Sequence, residues 1–303
     1  MSEPKPVPVT ANTPFLSFAT AAAVFTILVW GGTPMITKLG VVSIDGLSLA
    51  LMRTLASAPF ALALIIFMGL AMPWRGADKW YLLGLSTFGL IGFPVFFTVG
   101  VEMTTAGHAA VVQASTPVFA GLLESAVNRR WPPRRWWIGV SVAFVGAVLL
   151  IAEAVGFDST GATWQGDLLV MAGALSGAVS FVFGAKLAPR FSTPAMTMWS
   201  VLVASAIVLP WLVFRVDGPT LAAMELNAWI AVLYLSLGAS ILAFIAWFYA
   251  MNRAGIARIT TWHFATPVVG IGLSAAVLGE PLTPLLIVAT VVILLGVGLV
   301  QRR

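Results

Sequence analysis

Residues 106–127, AGHAAVVQASTPVFAGLLESAV, are echoed 150 positions later by residues 256–277, IARITTWHFATPVVGIGLSAAV. The shift places Thr116-Pro117-Val118 on Thr266-Pro267-Val268 and Ala126-Val127 on Ala276-Val277 without a gap. It also pairs Ser86 with Ser236 and Gly146 with Gly296, and a drift to 148 pairs Lys38-Leu39 with Lys186-Leu187. Shared Leu, Val and Ala mean little in so apolar a chain, so the Thr-Pro and Gly matches carry the internal repeat.

Hydrophobic residues make up 60% of the chain, charged residues only 9%, and the mean hydropathy is +1.00. Soluble domains carry about 25% charged residues, so a water-facing surface cannot be built from this composition. At roughly 20 apolar residues per crossing, the chain has room for about ten membrane helices. Breaks at Gly, Pro and charge clusters predict spans at 15–39, 46–72, 80–101, 106–127, 135–154, 166–187, 194–214, 227–250, 257–278 and 283–300. Ahead of them, residues 1–14 hold four prolines and read as a flexible tail. The apolar run from Phe15 to Trp30 continues into a Gly-Pro break, which fits an uncleaved first helix better than a secretory signal. The expected organisation is all-α and integral to the membrane. A first five-helix repeat covers 15–154, an outer linker 155–165, and a second repeat 166–303.

Net charge is +5, but Lys and Arg fall in short clusters between spans rather than on one face, so nucleic acid is not an expected partner. With ten spans both termini share a side, and thirteen basic residues lie there against Lys38 and Arg215 opposite. The positive-inside rule then puts both termini in the cytoplasm of a multi-pass protein of the cell inner membrane. Trp74, Trp80, Trp131, Trp136 and Trp137 flank the inner clusters as interfacial anchors would. Five spans per repeat is an odd number, so equivalent helices must cross in opposite directions. Inverted repeats of this kind characterise secondary transporters, whose sites lie near the midplane between repeats.

The run Trp30-Gly31-Gly32-Thr33-Pro34, the Thr-Pro steps of spans 4 and 9, and Leu278-Gly279-Glu280-Pro281-Leu282 before a Gly-dotted last helix resemble the drug/metabolite transporter superfamily. The ten-helix duplication is similar to its EamA-type branch, and within that to amino-acid exporters of the YddG type. One departure is Arg129-Arg130, which stands where the second half has Gly279-Glu280. The resemblance implies a central cavity lined by spans 1, 3, 4, 6, 8 and 9, export from the cytoplasm, and termini inside.

Polar groups at mid-depth are the informative ones, because in lipid each must find a partner. Gln113 and His263 are related by the 150 shift, and each sits four residues before its repeat's proline, Pro117 or Pro267. They can bond an amino acid's carboxylate or ammonium group, or bond neighbouring helices as packing glue. Each proline also frees the carbonyl of Gln113 or His263, which can meet an ammonium group or simply mark a kink. Ser176-Ser180-Phe183 in span 6 and Ser236-Ser240-Trp247 in span 8 form polar-aromatic stripes that suit either a cavity wall or close helix packing. Trp30, Thr98, Ser115, Tyr249 and Trp262 complete the substrate-binding candidates, and Gly31, Gly32, Pro34, Pro117 and Pro267 are the hinge candidates. Arg53 is expected to reach the headgroups or pair with Glu102, and Lys38 to snorkel.

Zero cysteines, two histidines and no HExxH leave no expected metal, cofactor or catalytic site, so a membrane-embedded enzyme is the least favoured class. The expected function is export of amino acids or similar neutral or zwitterionic metabolites, by alternating access. Multidrug and phosphorylated-sugar carriers of the same superfamily are the alternatives. The expected partners are a small-molecule substrate and the lipid bilayer, and the sequence leaves the oligomeric state open, a monomer being compatible with it.

Overall fold

A computed structural model describes residues 18–129, 131–156, 161–254, 262 and 265–301. Ten helical segments succeed one another: α1 Phe18–Gly40, α2 Gly46–Met68, α3 Asp78–Met103, α4 Ala106–Val127, α5 Arg134–Gly156, α6 Trp164–Leu187, α7 Thr193–Arg215, α8 Leu226–Met251, α9 Ala265–Leu278 and α10 Pro284–Gln301. A six-residue helix, Gly218–Ala223, lies between α7 and α8. No strand occurs among the described residues. Seven of the segments, α1–α4 and α6–α8, are long and apolar enough to cross a membrane, while α9 and α10 are shorter apolar helices.

Short polar residues start these helices by accepting an amide hydrogen that the first turn leaves free. Asp45 caps α2 through Ser48 N, Thr105 caps α4 through His108 N, Thr163 caps α6 through Gly166 N and Ser192 caps α7 through Ala195 N. Prolines interrupt them: α2 breaks at Ser57 ahead of Pro59, and α4 breaks at Ala114–Ser115 ahead of Pro117. Two π-helical stretches widen the middles of α3 (Leu85–Gly92) and α8 (Tyr234–Leu242), again about 150 residues apart.

Side chains on facing helices bond the carbonyls of these wide turns. Phe88 O accepts from Ser176 Oγ at 2.8 Å, Leu90 O from Thr54 Oγ1 at 3.1 Å, and Ala239 O from Trp30 Nε1 at 3.0 Å. The π turns can therefore persist where no water is at hand. α1 packs along α8 and α9, α6 packs along α3 and α4, and α2–α7, α4–α9 and α5–α10 form further pairs.

Hydrogen bonds gather five connections at one end of the bundle. Glu102 Oε2 accepts from Gly46 N, Thr163 Oγ1 donates to Met103 O, Glu280 accepts from Ala106 N and Gly107 N, and Ser43 Oγ accepts from Glu225 N. This is the Glu280 end. At the opposite, Arg190 end, Arg190 meets Asp78 at 2.5 Å and Trp199 Nε1 donates to Leu70 O.

Three sequence expectations change here. Arg53 neither snorkels nor pairs with Glu102: it is 5% exposed, its Nη1 has no hydrogen-bond partner among the described residues, and Glu102 caps α2 instead. Lys38 does not snorkel either, because Nζ donates to the carbonyls of Val101, Glu102 and Thr104 and so closes the C-terminus of α3. Trp136 is buried against Gly121 rather than anchored at an interface, whereas Trp74, Trp80, Trp131 and Trp137 are exposed.

Candidate functional site

The predicted aromatic and hydroxyl residues fall into two walls. On the α1–α8 side, Trp30 is half-buried and packs on Phe244 and Trp247 with ring centroids 5.1 and 5.4 Å apart. Beside them Tyr234 donates its hydroxyl to Val29 O at 2.7 Å, and Ser240 Oγ bonds Leu235 O at 2.8 Å. On the α3–α6 side, Phe183 stacks on Phe88 at 5.9 Å, and the buried Ser180 bonds Gly177 O. Small residues let these walls close up, since a Cβ at Gly32 would lie 2.6 Å from the Tyr234 hydroxyl and one at Gly84 2.7 Å from the Phe183 ring.

Between the walls lies the break in α4. Residues 106–112 are all buried, whereas 113–117 are half-buried. Gln113 and Ser115 sit at this change, but the Gln113 carbonyl is not bare: Thr116 Oγ1 donates to it at 2.7 Å. Ser115 Oγ turns back to Val112 O. The hinge candidates Gly31 and Pro34 are buried in α1, and a Cβ at Gly31 would come within 2.7 Å of Val269 on α9. Pro117 is half-buried and Pro267 buried.

Other candidates do not join. Tyr249 is 43% exposed and carries the Arg253 guanidinium over its ring at 5.7 Å, on the face of α8 turned away from Trp247. Thr98 is fully buried in α3 with no hydrogen-bond partner for its hydroxyl among the described residues. Trp262 is half-buried, and His263 lies outside the described residues.

The sequence reading missed the most polar feature of the interior. At the Glu280 end, His108 Nδ1 lies 3.0 Å from Asp167 Oδ2 and Nε2 lies 3.6 Å from Glu153 Oε2. Asp167 Oδ1 accepts from Thr104 Oγ1 at 2.7 Å, and Thr283 Oγ1 donates to Glu153 Oε1. Glu280 receives two amide hydrogens at 2.8 Å from the first turn of α4, a place where a helix favours an anion. The signal was a histidine two residues inside a span start, with acids at three other span ends. Periodicity could not say that these ends meet.

Helices long and apolar enough to cross a bilayer, packed together with aromatic and hydroxyl side chains between them, define a multi-pass membrane protein. The chain belongs to the EamA-like transporter family, whose model matches residues 17–152 and again 164–302. An uncharacterised transporter of Archaeoglobus fulgidus is 25% identical over 92% of this chain and 96% of its own length. The uncharacterised inner membrane transporter YedA of Escherichia coli is 29% identical over 90% of this chain and 87% of its own. A solved crystal structure at 21% identity has the same fold, with a TM-score of 0.62 over 93% of this chain and 96% of that one.

Proposed function

We propose that this transporter exports amino acids or similar small neutral or zwitterionic metabolites from the cytoplasm. The observation that carries the reading is the chemistry of the two walls. Trp30, Phe244, Trp247, Ser240, Phe88, Phe183, Ser180, Gln113 and Ser115 offer rings, hydroxyls and an amide, and none of them carries a charge. A carrier for lipophilic cations favours a carboxylate in such a place, and one for phosphorylated sugars converging Lys or Arg. Arg53, buried without a partner for Nη1 among the described residues, favours an anionic substrate as the second reading.

Alternating access is the mechanism, run by ten spans as two inverted five-helix repeats at 15–154 and 166–303, joined by 155–165, with both termini cytoplasmic. The family model matching once in each half supports it. So do the paired π stretches of α3 and α8, which run in opposite directions between the two ends. The packing of α1 on α8 and α9 likewise mirrors that of α6 on α3 and α4. The thirteen-to-two basic bias supports the orientation.

The test is uptake of radiolabelled candidates into liposomes containing the purified protein. Neutral amino acids should enter faster than into empty liposomes. If only a lipophilic cation or only a phosphorylated sugar is accelerated, the proposed substrate class is wrong.

A further inference from the structure

The contacts of His108 contain an unmet requirement. Asp167 is satisfied on both oxygens, by Thr104 Oγ1 and by the ring at Nδ1, so Nδ1 carries a hydrogen. On the other side of the ring Nε2 faces Glu153 Oε2 at 3.6 Å, and that oxygen is buried without a hydrogen-bond partner among the described residues. An imidazole lone pair facing a carboxylate oxygen is repulsive, whereas a proton on Nε2 turns the pair into a contact between a charged ring and a carboxylate. Beside it lies a cavity of about 10 Å³ lined by Thr105, His108, Glu153, Glu280, Thr283 and Leu286, with Pro281 at its edge. That is room for about one water.

The groups facing His108 from the surrounding elements are Asp167 on α6, Glu153 on α5 and Glu280 on the α9–α10 connection; Lys38 on α1 stands one residue further off, bound to the carbonyl of Thr104, whose hydroxyl holds Asp167. The carboxylate of Glu102 on α3 turns instead to Gly46 N. Three carboxylates against Lys38 leave two negative charges in the cluster while the His108–Glu153 pair is bare, and one when it holds a proton. The His108 and Glu153 side chains are 3% and 1% exposed, so proton exchange with water requires this end to part.

We infer that His108 and Glu153, backed by Asp167 and Glu280, form a proton-binding site that clasps the Glu280 end. Bound, the proton holds α5 and the α9–α10 connection against α4 and α6. Lost, it leaves two acceptors face to face and releases them. Protons are thus the ligand that sets which end of the transporter is closed. The consequence for transport rests on the alternating-access reading above, but the site itself does not.

With two histidines in the chain, ring ¹⁵N spectra of the protein in lipid nanodiscs can follow His108 directly, assigned as the signal missing from His108→Gln. The ring should change charge state as the pH is raised. Its midpoint should fall by about one pH unit or more in Glu153→Gln, where an anion favouring the charged ring is gone. The chain has no cysteines, so nitroxides at Val42→Cys and Leu282→Cys, both exposed at this end, can report its separation. A longer distance should appear at high pH in the native sequence. It should be absent from His108→Gln and Glu153→Gln, whose amides donate at every pH. A ring signal that does not titrate, a midpoint indifferent to Glu153→Gln, or distances independent of pH each overturns the inference. None of these readouts needs a substrate, so failure of liposome uptake with amino acids would overturn the substrate reading alone.

Discussion

At the Glu280 end the helices touch backbone to backbone, and hydrogen bonds join five connections; towards the Arg190 end the same helices diverge, and side chains fill the space. α6 records the change in four glycines facing α3. A Cβ would meet the nearest atom at 2.8 Å at Gly166, 3.1 Å at Gly173, 3.6 Å at Gly177 and 3.8 Å at Gly184. Where the gap opens, Ser176, Ser180 and Phe183 of α6 reach across to Gly92, Gly89 and Gly84 of α3. α4 changes in step, from wholly buried before Gln113 to half-buried after it. The packed end resists separation, and at the looser end side chains rather than backbone make the contact.

The sharpest way to break the comparison is to add one methyl group at each extreme of α6. In Gly166→Ala the new carbon collides with the backbone of Gly100 and Met103 at 2.8 Å, which neither helix can relieve by a side-chain rotation. A loss of about 1–3 kcal/mol follows from such overpacking, read as a lowered Tm of the purified protein. Gly184→Ala meets only ordinary contacts and should gain up to about 1 kcal/mol from helix propensity. Equal shifts in the two variants would mean that α3 and α6 do not diverge.

Much of this architecture was legible beforehand, because spans, caps and prolines are local signals. The breaks near Pro117 and in the 150-residue repeat follow from proline's missing N–H and from simple self-alignment. Trp30, Trp247 and Phe183 could be named as candidates because stripes at helical spacing declare a shared face, but spacing does not separate a cavity wall from close helix packing. What was missed depends on which helix ends meet. His108 gains its partners only in the fold, where Asp167, Glu153 and Glu280, spread up to 172 positions away in the chain, come together around it. Lys38 and Arg53 were misread for the same reason: snorkelling is the default for a lone cation, and the carbonyls of Val101, Glu102 and Thr104 that hold Lys38 belong to another helix. Tyr249 differs: it was chosen for its place near the proposed pocket, and its ring lies on the exposed face of α8.

A smaller test concerns the anion that Glu280 supplies to α4. Glu280→Gln keeps the shape but removes the charge from the two amide bonds, costing about 1 kcal/mol where a partly buried anion faces a helix N-terminus. Glu102→Gln makes the fair control, with one bond to Gly46 N and an exposed side chain, and its Tm should move less. The reverse order would show that the clasp is not centred on α4.

The faintest effect is expected at the rim of the same end, outside the membrane segments, where Asp45 caps α2 and meets Arg215 at 2.9 Å. Burial, the largest influence on this carboxyl, pushes its pKa up, yet hydrogen bonds from Ser48 and Arg215 hold it below the ordinary 3.8. A depressed carboxylate contributes stability that is present above its unfolded value and is lost as pH falls through the folded one. Both side chains are more than two-fifths exposed, so the ion pair is screened and worth about 0.2–1 kcal/mol. Arg215→Gln should therefore lower the Tm slightly at pH 7, by less in high salt, and not at all once Asp45 is protonated below its folded value. A penalty that persisted in acid would place Arg215 in the packing of α7 on α2 rather than in the electrostatics of the rim.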